Sequence, residues 1–288
     1  MQSLLSKVHK REIFTEPFPH LIIQDPIDDE ICLQLISEFP DLETVTKGAN
    51  YTSNERFSYS AIDVLGNYQI TPLWQEFVKV HTSQLFLEEI INLFTEEILK
   101  VYPDFDQKIG DLAQLKSGIR NIDNFEDKNV LLDAQICVNT PVVATPSSVR
   151  GPHVDNANKL FAGLYYLRDP RDTTSTGGNL EIHRYKHQNY RFSKRQFINS
   201  EDVEVVKTVN YERNVLVFLL NSEMSLHGVT VRDVTDHTRY FFNLLGEVKQ
   251  PLFTMKGIEE KPQRKKTAPV NLSFKTKLKK LAKKILSH

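Results

Sequence analysis

The sequence is short of several features that mark particular protein classes. Its 288 residues include only two cysteines, Cys32 and Cys137, each within an apolar run. Two are too few for a disulfide framework, which favours a reducing compartment. No stretch approaches the roughly 20 apolar residues that span a bilayer, and the N-terminus MQSLLSKVHKREIF lacks the apolar region and small-residue cleavage site of a secretion signal. These absences predict a cytoplasmic protein.

Glycine and proline are also modest, at 11 and 13 residues, and no internal repeat is visible. This excludes fibrous and low-complexity chains. The hydrophobic share of 40% and the charged share of 25% are ordinary for a soluble globular protein. We therefore expect one main domain with attachments.

The net charge of −1 hides a basic tail at 256–288, which contains ten Lys and one Arg against two Glu. Within this tail, residues 273–288 place apolar side chains on one helical face and lysines on the other. That pattern predicts a peripheral helix on the inner-leaflet membrane surface. Docking on the acidic body is one alternative. Nucleic acid is another, which the lack of interleaved aromatics makes a poor fit.

The first 129 residues are predicted to be a helical support region of the same domain. Residues 18–25 read as a strand, and the DDEICLQLISEF segment from Asp28 to Phe39 follows a helical stripe that Pro40 stops. Residues 72–102 are helical in pattern. The polar and aromatic segment 50–66 is predicted to be a loop or a frayed hairpin.

From Val130 onward the pattern changes to short strands rich in β-branched and aromatic residues. The predicted strands are VLLDAQICVN, LFAGLYYL, NLEIHRY, VEVVKTV, NVLVFLL and RYFFNLLGEV. Six strands with no strong helix between them favour an antiparallel barrel or jelly roll. The predicted fold is thus mainly β with N-terminal helices, with a jelly-roll catalytic core at 130–250.

A candidate metal site begins at His153 and Asp155, an H-x-D pair just before the strand LFAGLYYL. In an extended segment the side chains of residues i and i+2 share one face, so both reach the same point. The pair alone is a weak signal. His227 strengthens it, because it follows the strand NVLVFLL after a short turn, where a later strand brings a third ligand beside the first two. Two imidazoles and one carboxylate suit non-haem Fe(II).

Arg239 opens the strand RYFFNLLGEV. A guanidinium inside a barrel needs a carboxylate, and the distal carboxylate of 2-oxoglutarate offers a bidentate partner. The alternatives are an ordinary ion pair of Arg239 with Asp236 or Glu247, and Arg232 as the anchor.

At this point the chain resembles the prolyl-4-hydroxylase-like branch of the Fe(II)/2-oxoglutarate-dependent dioxygenases, over roughly residues 130–248. The motifs that carry the resemblance are HVDN at 153–156, YYL at 165–167, STGGNLEI at 175–182, HGV at 227–229 and TRY at 238–240. The resemblance implies a double-stranded β-helix and a C–H hydroxylation that consumes O2 and 2-oxoglutarate and releases succinate and CO2. It also implies that His153, Asp155 and His227 are the catalytic Fe(II) ligands and that Arg239 binds 2-oxoglutarate.

Two further cosubstrate contacts are implied by the same resemblance. Tyr166 matches the position whose hydroxyl assists the arginine, with a plain core aromatic as the alternative interpretation. Asn139 or Gln135 matches a polar contact on the preceding strand. Gly177 and Gly178 are expected to make a tight turn. The spacing between the second histidine and the arginine is a few residues longer than is common in the family.

The tail and the size of the chain also resemble the Kdo (3-deoxy-octulosonic acid) hydroxylases that act on lipid A precursors. The predicted substrate is accordingly a membrane-associated saccharide or glycolipid. Arg56, Arg120 and Arg150, in predicted loops, are candidate contacts for an acidic sugar, with solvated surface charge as the alternative. A peptidyl or prolyl hydroxylase remains a second hypothesis, and a non-catalytic jelly roll that binds metal or sugar is a third.

Overall fold

A computed structural model describes residues 1–187, 192 and 196–255. The described residues up to 255 belong to one compact unit. The predicted basic tail at 256–288, with its membrane contact at 273–288, lies outside the described residues. Within the described ranges, no helix is long and apolar enough to cross a membrane.

The two longest helices of the N-terminal part begin at clear capping residues. The side chain of Thr71 accepts a hydrogen bond from the backbone N–H of Trp74, and that of Ser83 accepts one from Phe86. Such caps satisfy backbone donors that the first helical turn leaves free. The helices are α1 (Asp29–Ser37), α2 (Leu42–Thr46), α3 (Ala61–Gly66), α4 (Pro72–His81), α5 (Gln84–Val101) and α6 (Phe105–Lys108).

Ten strands within the described residues form two sheets. The strands are β1 (His20–Gln24), β2 (Arg56–Tyr59), β3 (Ser117–Ile119), β4 (Val130–Asn139), β5 (Lys159–Tyr166), β6 (Leu180–Tyr185), β7 (Val203–Val209), β8 (Val215–Leu220), β9 (His227–Val229) and β10 (Arg239–Val248). The large sheet has the order β1-β8-β5-β10-β4-β2, with β3 paired to β4, and the small sheet has the order β7-β6-β9. The large-sheet pairs are antiparallel apart from β3 with β4.

The side chains of the large sheet alternate between its two faces, and each face packs in a different hydrophobic cluster. On β8, Leu216 and Phe218 pack in the main hydrophobic cluster with the helices, whereas Val215 and Val217 pack in a second cluster with residues of the small sheet. Successive side chains of a strand point to opposite faces, so a strand buried on both faces is apolar throughout. The fold class predicted from the sequence, mainly β with N-terminal helices and a jelly-roll core, is confirmed.

On β4 the same alternation brings polar side chains into the space between the sheets. Leu132, Ala134, Ile136 and Val138 pack in the helix-facing cluster. The intervening positions, which face the small sheet, are Asp133, Gln135, Cys137 and Asn139. Buried polar groups need partners, so this face is where a functional site is expected.

The prediction of a loop or frayed hairpin at 50–66 is wrong for its second half. Residues Arg56–Tyr59 form β2, an edge strand that pairs antiparallel with β4, and Ala61–Gly66 form α3. Ser60 and Asp63 make a reciprocal capping box at the start of that helix. Arg56, predicted in a loop, is therefore on a strand of the large sheet.

Candidate metal centre and anion pocket

The three predicted metal ligands come together between the two sheets. His153 and His227 exchange backbone hydrogen bonds of 2.9 and 3.0 Å, which places their rings side by side with centroids 4.3 Å apart. Asp155 lies two residues beyond His153. One potential ligand atom from each of the three lies within 4.8 Å of the others, and all three residues are buried. The fold thus assembles the triad that the sequence pattern indicated.

Backbone contacts orient both imidazoles. Nδ1 of His153 lies 2.8 Å from the carbonyl oxygen of Gly151, and Nδ1 of His227 lies 2.9 Å from that of Ser225. A ring nitrogen that donates its proton to a carbonyl leaves the other nitrogen, here Nε2, as an unprotonated metal ligand. Burial lowers the pKa of both histidines, that of His153 well below its usual value. Both rings are therefore neutral at neutral pH.

Asp155 is ionised despite its burial. Burial raises the pKa of a carboxyl group, but the nearby positive charges, Lys159 foremost, outweigh that effect and hold the pKa of Asp155 far below its usual value. Lys159 Nζ lies 3.0 Å from Oδ2 and Arg150 Nη1 lies 3.3 Å from Oδ1. Two neutral imidazoles and one carboxylate form a donor set that fits a divalent first-row metal such as Fe(II).

A second group of buried polar atoms lies around Arg239. Its Nη1 donates to Oδ1 of Asn139 at 3.2 Å. Within the described residues, Arg239 Nε, Asn139 Nδ2 and the hydroxyl of Tyr166 have no hydrogen-bond partner although they are buried. Arg239 is 2% exposed and forms no ion pair with a described carboxylate. An unpaired buried guanidinium is costly, so these three residues fit an anionic ligand that supplies the missing acceptors.

The alternatives to this anion anchor are already engaged elsewhere. Arg232 donates to Asn54 Oδ1, to the Thr140 carbonyl and to the His237 carbonyl, so its guanidinium holds loops together. Glu247, a suggested partner of Arg239, pairs with Arg120.

Gln135 is likewise engaged. It donates to Asp133 and accepts from Asn243. Of the two candidates on β4, Asn139 is the one whose amide NH2 group has no hydrogen-bond partner among the described residues.

Tyr211 completes the wall around Arg239 and was not singled out from the sequence. The guanidinium carbon of Arg239 lies 4.7 Å from the ring centroid of Tyr211, 4.9 Å from that of Tyr166 and 5.0 Å from that of Phe241. Arginine stacks favourably on aromatic faces. Tyr211 lies in the polar connection NYERN between β7 and β8, where no local pattern marks it as buried.

His183 is a third buried histidine, close to the two of the triad. Burial lowers its pKa to about 4, and neither ring nitrogen has a hydrogen-bond partner in the part of the chain that the structure describes. A side chain at Gly228 would begin 3.2 Å from His183 Nε2. Glycine next to His227 therefore makes room for this ring, which the sequence motif alone did not indicate.

The triad and the Arg239 group open into one cavity of about 440 Å³. Its lining includes His153, Asp155 and His227 at one side and Asn139, Tyr166 and Arg239 at another. Charged residues at its rim are Arg56, Arg120, Arg150, Lys159 and Glu247. The arrangement can hold a metal ion and a small dianion at the same time.

Comparison with known proteins finds likeness at the level of structure. No protein-family model matches the chain, and no curated protein matches it in sequence. A prolyl-4-hydroxylase from Pseudomonas putida is similar at 8% identity and a TM-score of 0.42, with 80% of this chain and 93% of that chain covered. A prolyl 4-hydroxylase from Phytophthora capsici is similar at 13% identity and a TM-score of 0.44, over 80% of this chain and 58% of that one.

A viral collagen prolyl hydroxylase from Paramecium Bursaria Chlorella virus-1, solved with 2-oxoglutarate, is similar at 12% identity and a TM-score of 0.35, with 80% of this chain and 96% of that chain covered. At such identities and TM-scores, the chemistry of this chain has to be inferred from the geometry of its own cavity.

Proposed function

We propose that this protein is an Fe(II)- and 2-oxoglutarate-dependent dioxygenase that hydroxylates a C–H bond. The observation that carries the proposal is the pairing of two features in one cavity. One is the buried His153–Asp155–His227 triad, and the other is the buried Arg239 that has no carboxylate partner among the described residues. A protein that only stored a metal ion would have no use for a separate anion anchor.

Each residue of the cavity has a specific part in this proposal. When bound, Fe(II) with 2-oxoglutarate and O2 supplies an oxidation in which the cosubstrate becomes succinate and CO2 and one oxygen atom enters the substrate. The carbonyls of Gly151 and Ser225 fix the two imidazoles through Nδ1, so that Nε2 of each would be free to bind the metal. Lys159 and Arg150 hold Asp155 in its ionised form.

The far end of the cosubstrate would be held by hydrogen-bond donors that have no partner within the described residues. Arg239 offers Nε, Asn139 offers Nδ2 and Tyr166 offers its hydroxyl. Charge-assisted hydrogen bonds from a guanidinium to a carboxylate are among the strongest in proteins. The rings of Tyr166, Tyr211 and Phe241 exclude water from this end, which strengthens these contacts further.

As substrate we propose a saccharide or glycolipid, with Kdo of lipid A precursors as the candidate. The excess of cationic side chains at the cavity rim supports an acidic substrate. The composition of residues 273–288 supports a membrane-associated one and a location at the inner leaflet. Deletion of 273–288 should abolish binding to vesicles that contain phosphatidylglycerol. Equal binding by the truncated protein would contradict the membrane part of the proposal.

The catalytic proposal is tested by succinate formation from 2-oxoglutarate with Fe(II) and O2, with and without a lipid A–Kdo preparation. Asp155→Ala should abolish it, whereas Asp236→Ala, at a side chain that is 97% exposed, should leave it unchanged. Stimulation by the glycolipid supports the substrate proposal. Equal turnover with and without the glycolipid would favour a peptide substrate. Iron binding without any turnover would favour a non-catalytic binding module.

A further inference from the structure

We propose that Arg56 forms an anion-binding subsite at the mouth of the cavity, which holds a carboxylate or phosphate group of the primary substrate. This inference rests on the proposed function and names the substrate class more closely. The oxidised molecule is an organic acid or phosphate ester, and Arg56 is the residue that selects it.

Strand register puts Arg56 on the same face as the Arg239 group. Arg56 on β2 lies opposite Asn139 on β4, and Asn139 lies opposite Arg239 on β10. Residues directly opposite in antiparallel strands project to the same side of a sheet. The three side chains therefore form one row across the sheet, and all three line the cavity.

The two arginines of this row differ in depth. The guanidinium carbons of Arg56 and Arg239 each lie 5.0 Å from the ring centroid of Phe241. Arg239 is 2% exposed, whereas Arg56 is exposed to solvent. Arg239 thus sits at the closed end, where a buried cosubstrate carboxylate fits. Arg56 sits at the open end, where a substrate enters.

Arg56 has no carboxylate partner in the described ranges. The polar contact that its guanidinium makes is a long one, 3.9 Å from Nη2 to Cys137 Sγ. The other rim cations are paired: Arg120 with Glu247 and Asp133, and both Arg150 and Lys159 with Asp155. Apart from this weak contact, the guanidinium donors of Arg56 are available to a ligand.

Arg150 adds a further positive charge to the lining of the cavity. Its Nη1 lies 3.3 Å from Asp155 and its Nη2 lies 3.4 Å from Gln196. The guanidinium of Arg150 is therefore already engaged, whereas that of Arg56 has no carboxylate partner among the described residues.

The net charge of the cavity lining stays positive after metal and cosubstrate have bound. Five cationic side chains and two carboxylates line the cavity: Arg56, Arg120, Arg150, Lys159 and Arg239 against Asp155 and Glu247. Asp133, behind Arg120, lowers the excess to two. Because Fe(II) and the 2-oxoglutarate dianion cancel each other, the loaded cavity keeps this excess, and it favours an anionic substrate.

The test uses the full-length protein loaded with Zn(II), which is redox-inert, and saturating 2-oxoglutarate. Binding of three matched sugars is measured by saturation-transfer NMR: glucose, glucuronate and glucose 6-phosphate. Wild type should bind at least one of the two acids about tenfold or more tightly than glucose. The carboxylate and phosphate arms show which anion the subsite prefers.

Arg56→Gln should remove that preference, and Arg56→Lys should retain part of it. Lys207→Gln, at an exposed position of β7, is the matched loss of one positive charge away from the cavity and should retain all of it. Equal binding of the acids and glucose by wild type, including no binding of any of the three, would overturn the inference. An unchanged preference in Arg56→Gln would overturn it too.

Binding of 2-oxoglutarate by each variant separates this inference from the proposed function. Arg56→Gln should bind the cosubstrate about as tightly as wild type. If it weakened that binding as much as Arg239→Gln does, Arg56 would belong to the cosubstrate site and the subsite would be refuted. If wild type itself bound no 2-oxoglutarate, the proposed function would fail first and the inference with it.

Discussion

Arg239 donates a hydrogen bond to Oδ1 of Asn139 at 3.2 Å, and both residues line a cavity that also holds the metal triad. This hydrogen bond fixes the amide of Asn139 so that its NH2 group faces away from the arginine. Within the described residues, Asn139 Nδ2 and Arg239 Nε have no acceptor. Two neighbouring buried donors without acceptors indicate a binding site for an anionic ligand and not an ion pair within the protein.

Arg239→Gln should weaken 2-oxoglutarate binding by roughly 10- to 100-fold, since hydrogen bonds to a charged group contribute about 1.5 to 3 kcal/mol. Calorimetry with Zn(II)-loaded protein measures this effect. Arg232→Gln is the matched control, because that guanidinium bonds to Asn54, Thr140 and His237. It should lower the melting temperature but leave cosubstrate affinity nearly unchanged. The reverse pattern would make Arg232 the anchor.

Tyr166→Phe should have opposite effects on stability and on binding. The hydroxyl is buried without a described partner, although the charge of Arg239 partly offsets the rise that burial causes in its pKa. Its removal should raise the free energy of unfolding of the ligand-free protein by up to about 1 kcal/mol. The same change should weaken 2-oxoglutarate binding about tenfold. Lower stability with unchanged affinity would indicate a plain core tyrosine.

Gly177→Ala should destabilise the protein by clearly more than Gly48→Ala. Both glycines have positive φ, +74° and +70°, so both variants carry the left-handed strain of about 1 to 2 kcal/mol. A Cβ at Gly177 would lie 1.8 Å from the carbonyl oxygen of Val231, whereas one at Gly48 meets nothing within 4 Å. Urea unfolding of the two variants isolates the steric effect. An equal decrease in the free energy of unfolding of the two variants would show that the turn at Gly177 can move to accommodate a side chain.

The free energy of unfolding should fall as the pH is lowered from 6.5 to 4, and the protonation of His81 should account for part of this decrease. Burial lowers the pKa of His81 to about 4, and its ring receives the Leu4 N–H at Nε2 and donates from Nδ1 to the Phe77 carbonyl. In this range the unfolded chain binds a proton at His81 that the folded protein does not. The free energy of unfolding therefore drops by up to about 3 kcal/mol.

The check on His81 is urea unfolding at several pH values for wild type and His81→Gln. The variant should be less stable at pH 7, because a buried hydrogen-bonded ring is lost. It should also show a shallower fall between pH 6.5 and 4. The same slope in both proteins would contradict the assignment.

Much of the core was predictable because its strands are continuous apolar or alternating runs. The bounds predicted for VLLDAQICVN and RYFFNLLGEV match β4 and β10, and His153 pairs with His227 at the start of β9. These strands could be recognised from local sequence because a strand that is buried on both faces consists of a nearly continuous apolar run.

The rest depended on contacts between distant segments. β2 was missed because RFSY is a short edge strand whose pattern carries little hydrophobic signal, and its pairing with β4 spans about 80 residues of sequence. The position of Arg56 beside Asn139, and the ring of Tyr211 against Arg239, follow from that register and from loop packing. Neither of these two contacts produces a local sequence pattern, so neither could be predicted from the sequence alone.

The most direct test of the central claim is anaerobic titration of the protein with Fe(II) and then 2-oxoglutarate, followed by visible absorption. A 2-oxo acid chelated to Fe(II) produces a charge-transfer band, and no primary substrate is needed to observe it. We predict one equivalent of Fe(II) per chain and a band that saturates with 2-oxoglutarate. The band should be lost in Asp155→Ala and retained in Asp236→Ala. Absence of the band in wild type, or its survival in Asp155→Ala, would contradict the assignment of the cavity.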